Sequence, residues 1–143
     1  MVDTQNNRRR IAKPLGLYLI TIFDFIAVGV VPLFSVVWVG RSQEIELPFV
    51  AVLTSVGLAI TTMASSIWAW LGDNAGRVLL LALVTLSSVL LILNNVLLLS
   101  SDNVGTNGIR SVGWIFRAVF WIGINWWYFN RAQVVAYFKQ NAV

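Results

Sequence analysis

The chain contains no cysteine and no histidine. That removes disulfides, thiol nucleophiles, imidazole acid–base chemistry and the usual zinc and haem ligands from consideration. Charge is nearly as scarce: Asp, Glu, Lys and Arg make up 11% of the 143 residues, against 58% hydrophobic ones. Soluble domains carry about 25% charged residues. A chain this short with so few charges cannot cover a water-facing surface, so the expected solvent is lipid. No two acids share an apolar run, and no glycine-rich phosphate loop follows a strand pattern, so no enzyme chemistry is expected. No metal or cofactor is expected either, although a bound lipid would fit.

What the chain does have is four apolar runs, Leu15–Val39, Pro48–Leu71, Val78–Leu99 and Val112–Phe129. A hydrocarbon core of about 30 Å takes about 20 helical residues to cross. None of the runs alternates as a strand would, and a backbone in lipid must satisfy its own hydrogen bonds. The expected fold is therefore all-α: four transmembrane helices in an antiparallel up-down-up-down bundle over residues 14–131. A polar basic segment, 1–13, precedes it and a short extension, 132–143, follows. Short connections (40–47, 72–77 and 100–110) rich in Gly, Asn, Asp and Ser make sequential helices neighbours.

The excess of basic residues sits at the borders of the runs. Arg8, Arg9, Arg10, Lys13, Arg77, Arg131 and Lys139 fall on one side, and Arg41 and Arg110 on the other. By the positive-inside rule both termini are cytoplasmic. Residence is expected in a bacterial plasma (inner) membrane, and nucleic acid is not an expected partner. The first run is too long for a secretory signal and no small-residue cleavage site follows it, so it reads as a retained anchor. Pro32 lies inside that run, removes a backbone donor opposite the carbonyl of Val28, and predicts a kink over Val28–Pro32.

Aromatic residues gather at the run ends. Trp68, Trp70, Trp126, Trp127 and Tyr128, with Arg131, are expected to anchor one membrane interface, where amphipathic rings sit at headgroup depth. In the second run Gly57, Thr61, Ser65 and Ala69 recur every four residues, beside Ser55 and Ala59. Small residues let helix backbones approach closely in lipid. The stripe fits internal packing and docking of another subunit equally. Asn94, Asn95 and Asn125 are candidates for hydrogen bonds between helices.

One residue stands apart. Asp24 lies ten residues after Pro14, about 15 Å into the membrane. An unpaired charge there costs at least about 2.5–3.5 kcal/mol. Arg117, entering from the other side to about 9 Å, is the expected partner, with the Thr21 hydroxyl one turn before Asp24. Three readings stay open: a buried Asp24–Arg117 ion pair, pairing with another subunit, or a proton or cation site. In outline, four short spans with one acid in the first, the chain resembles the small multidrug-resistance transporters. That family carries glutamate at the place of Asp24, none of its other motifs matches, and Arg117 departs from its pattern. The favoured function is a non-catalytic accessory or scaffold subunit of a larger membrane complex. The alternative is a small homo-oligomeric transporter coupled to protons or cations through Asp24.

Overall fold

The computed structural model describes residues 12–42, 49–100 and 107–141. Every regular element among these residues is a helix, with no strand. The basic run Arg8–Arg10 and most of the connections 40–47 and 100–110 lie outside the described residues. Helix α1 (Leu15–Asp24) passes into a π-helical turn, Phe25–Val30, and continues as α2 (Val31–Ser42). Then come α3 (Phe49–Leu71), α4 (Asn74–Ser100), α5 (Asn107–Phe129) and a short α6 (Ala132–Asn141).

Among the described residues, three helical stretches are long and apolar enough to cross a membrane: Leu15–Trp38, Phe49–Leu71 and Asn74–Leu97. The expected count was four. Helix α5 has the length, 23 residues, but Asn125, Arg117 and its tryptophans and glycines dilute its apolar content. Only 17%, 22% and 28% of the most apolar windows of the three spans is buried by protein. Leu15 and Phe49 are each 78% exposed, and Ile109 on α5 is 85% exposed. Surfaces this apolar suit hydrocarbon and would associate in water.

Where the sequence predicts a kink over Val28–Pro32, the helix has a π-helical turn over Phe25–Val30. The N–H of Val31 reaches five residues back to the carbonyl of Ile26. The helix is thus widened by one residue just before the proline that cannot donate. This wide turn begins immediately after Asp24 and packs on α3, where Gly29 lies against Met63.

Helices α3 and α4 form a tight hairpin. Gly72 takes φ 93°, a left-handed conformation that suits glycine, and ends α3. Asp73 Oδ1 then accepts from the backbone N–H of Ala75 at 2.7 Å and opens α4. Gly76 passes so near that a Cβ would stand 2.6 Å from the backbone nitrogen of Ala69. Helix α4 in turn packs along α5.

The buried apolar core lies at one end of the molecule. Leu17, Ala69, Leu80, Leu81, Val84 and Phe129 meet there. Helix α6 closes that end, with Val134 and Phe138 fully buried. The break between α5 and α6 falls at Asn130–Arg131, where the N–H of Arg131 bonds the carbonyl of Tyr128 at 3.1 Å. Arg77 Nη1 donates to the carbonyl of Phe129 at 2.9 Å, satisfying one of the last acceptors of α5. Its guanidinium also sits over the Phe138 ring.

Candidate functional site

Asp24 is the last residue of α1 and is completely buried. Its position on the helix follows from the sequence: Leu17, Thr21 and Asp24, three to four residues apart, form the buried face of α1. Facing it are two side chains of α5 four residues apart. Trp121 Nε1 donates to Asp24 Oδ1 at 2.9 Å. Asn125 Nδ2 donates to the same oxygen at 3.4 Å, and to its own helix at Trp121 O at 3.2 Å. The Trp121 ring also packs against Phe23, with centroids 4.3 Å apart. The seam between the first and fourth apolar runs is therefore bridged by long side chains. One other bridge lies at the core end, where Tyr128 fills the space that Gly16 leaves open.

Two acceptor atoms at this seam have no donor: Asp24 Oδ2 and Asn125 Oδ1, both buried. Buried polar atoms are nearly always hydrogen-bonded, and the deficit is largest where a carboxyl oxygen is concerned.

The expected Asp24–Arg117 ion pair is not formed. Arg117 is exposed, and its guanidinium lies 5.2 Å from the centroid of the Trp114 ring, one turn earlier on α5. The reason is depth. Asp24 is level with Trp121 and Asn125, which follow Arg117 by one and two turns, about 6 and 12 Å along the axis. Long helical side chains lean toward the N-terminus of their helix, which carries Arg117 farther from Asp24 and toward its own end of α5. Thr21 does not serve Asp24 either. Its hydroxyl is given to the carbonyl of Leu17 at 2.6 Å within α1.

The remaining candidates divide. Ser65, Ala69 and Ala59 are buried within the molecule, whereas Gly57 and Thr61 face outward and Ser55 is half-buried. A Cβ on Gly57 would meet nothing within 4 Å. Asn95 spends its amide on the carbonyl of Leu91 at 2.8 Å in its own helix, and Asn94 is exposed. Only Asn125 of the three asparagines reaches another helix by a hydrogen bond.

Among the expected anchors, Trp68, Trp70, Trp126 and Trp127 are exposed, and Arg131 covers the Trp127 ring at 3.9 Å. Tyr128 is buried, because α6 folds over it and Gly16 admits it. Trp126 also donates to Thr85 Oγ1 at 3.0 Å, tying α5 to α4. At the start of α1, Lys13 donates to the carbonyl of Trp70 and lies over the rings of Tyr18 and Trp70. Partial burial there holds its amine below the ordinary lysine value.

Trp121 is not among the residues that the sequence singles out. The available signal was its spacing of four from Asn125, which puts an indole N–H and an amide on one face. No family model, no curated protein and no solved structure matches the chain.

Proposed function

We propose that this protein is a non-catalytic subunit of a larger membrane complex, whose role is to pack against and stabilise its partners. In this reading four helices cross a bacterial plasma (inner) membrane up and down, with both termini cytoplasmic. Helix α5 serves as the fourth span. Its 23 residues would reach about 35 Å, and it packs along α4.

One observation carries the reading. The small-residue stripe of α3 is only half used by the molecule itself. Ser65 and Ala69 are buried internally, while Gly57 and Thr61 look outward with open space above Gly57. Close backbone approach is what binds helices to one another in lipid. The unused half offers that fit to a transmembrane helix of another subunit.

The test is native purification in mild detergent, comparing the wild-type protein with Gly57→Leu. Co-migration of the wild type with larger, unrelated subunits, lost in Gly57→Leu without a loss of its own thermal stability, is the expected result. Migration as a homodimer alone would overturn it.

A second reading rests on a different observation, the donorless acceptors of Asp24 and Asn125. They favour a small homo-oligomeric transporter coupled to protons or cations through Asp24. Abolition of pH-dependent flux in liposomes by Asp24→Asn, with the fold intact, would support this reading over the first.

A further inference from the structure

The acceptor and donor inventory at the α1–α5 seam does not close as a carboxylate would require. Asn125 Nδ2 has two donor hydrogens, and both are placed, one on Asp24 Oδ1 and one on Trp121 O. The carbonyl of Trp121 also fixes which way the amide points, because a flipped amide would set oxygen against oxygen. Asn125 Oδ1 is then left as an acceptor on the side chain that meets Asp24, whose own Oδ2 also lacks a donor. An amide and a carboxylic acid have a familiar way to join: N–H to one carboxyl oxygen, and the acid O–H back to the amide oxygen. The first half of that ring is present in the structure. The second half needs one hydrogen, and both of the atoms it would join lack a partner.

We propose that Asp24 and Asn125 together form a proton-binding site, in which a proton on Asp24 Oδ2 is donated to Asn125 Oδ1. The proton comes from water and binds reversibly. No other bond is made or broken. A metal cation is the weaker occupant, since calcium and magnesium take six or more oxygen ligands and the described residues hold no cluster of three or more acidic side chains that could supply them. A single hydrogen suffices here.

Among the described residues, no other charged group packs against the position. Helix α3 carries no charged residue between Phe49 and Leu71. Helix α5 contributes Arg110 and Arg117, and Arg117 turns away over Trp114. Helix α4 contributes Arg77, engaged at the carbonyl of Phe129 at the core end. On α1 itself the other titratable side chain is Tyr18, packed on Trp70, and α2 has only Arg41 at its far end. This inference names the ligand that the transport reading leaves open. It requires neither flux nor a partner at Gly57, so its failure and theirs are distinguishable.

The experiment is infrared spectroscopy of the intact protein in liposomes at neutral pH, as difference spectra between the wild type and its variants. Asp24→Asn keeps the shape and serves as the blank. We expect a protonated-carboxyl C=O band in the wild type that is lost in Asp24→Asn and downshifted in deuterated buffer. In Asn125→Leu the band should move toward the frequency of an acid with no hydrogen-bond acceptor. Should Asn125→Leu not fold, Asn125→Gln displaces the amide by one methylene and should move the band as well. Absence of the band in the wild type overturns the proposal. So does a band that neither Asn125 variant moves.

Discussion

Replacing Trp121 with Phe removes one hydrogen-bond donor from the interior while keeping an aromatic ring against Phe23. The lost bond is short, 2.9 Å, and ends on a fully buried carboxyl. Hydrogen bonds between helices in membranes average about 0.6 kcal/mol and reach about 1.7. Hydrogen bonds to neutral groups in water-soluble proteins contribute about 0.5–1.5 kcal/mol. The other donor to Asp24 Oδ1, from Asn125, is long at 3.4 Å, so little compensation is at hand. We therefore expect the Trp121→Phe coupling to Asp24 to lie near the upper membrane value, about 1.5 kcal/mol. Loss of ring area adds a further cost that does not involve Asp24. A double-mutant cycle with Asp24→Leu separates the two, since the area term appears in both backgrounds and cancels. The assay is reversible unfolding in mixed micelles or bicelles, followed by helicity. Arg117→Ala in the same assay should change stability by less than about 1 kcal/mol, the scale of an exposed cation–π contact. Equal costs of Trp121→Phe with and without Asp24 would refute the assignment of the indole as its partner.

Other substitutions probe the scaffold. Gly76→Ala should destabilise by about 1–2 kcal/mol, because overpacking against the Trp68–Ala69 backbone outweighs a helix-propensity gain of about 1 kcal/mol. Gly57→Ala should instead stabilise the isolated protein by about 0.5–1 kcal/mol, and both are read from the same unfolding curves. Phe138→Ala should cost about 3–5 kcal/mol, since Phe138 is fully buried where α6 closes the core. Amine labelling as a function of pH should find the Lys13 midpoint below the ordinary lysine value, as its partial burial demands. A folded-state value depressed for a cation means that stability at this contact is fully present above the ordinary lysine value and is lost as pH falls from there through the depressed midpoint.

The helical class was legible from composition, because 58% apolar residues in long unbroken runs leave no other stable backbone in lipid. The position of the irregular turn was legible too, since Pro32 removes a donor wherever the rest of the helix goes. Its π form was not, because the choice between a bend and an inserted residue depends on how Gly29 seats against α3. The fourth apolar run shows where composition alone blurs. The rings and amides that lower its apolar content are the groups that reach Asp24. Depth identified Asp24 as needing a partner and suggested the only basic residue within a span. Which residue answers it depends on rotation and axial register between α1 and α5, and a count from the helix ends does not carry those. The segment 132–143 is foreseen only as a short extension after the last run. Its apolar residues Val134 and Phe138 proved to be spaced to enter a core that exists only once α1, α4 and α5 are assembled.

The most direct measurement is the indole N–H resonance of Trp121 in the nitrogen-labelled protein in lipid bilayers, compared between wild type and Asp24→Leu. A hydrogen bond from that nitrogen to the buried carboxyl should give a downfield resonance that moves upfield when the carboxyl is gone, while the Trp127 resonance stays in place. A Trp121 resonance indifferent to Asp24 would mean that the acid finds its counterpart elsewhere, and the seam described here would be wrong.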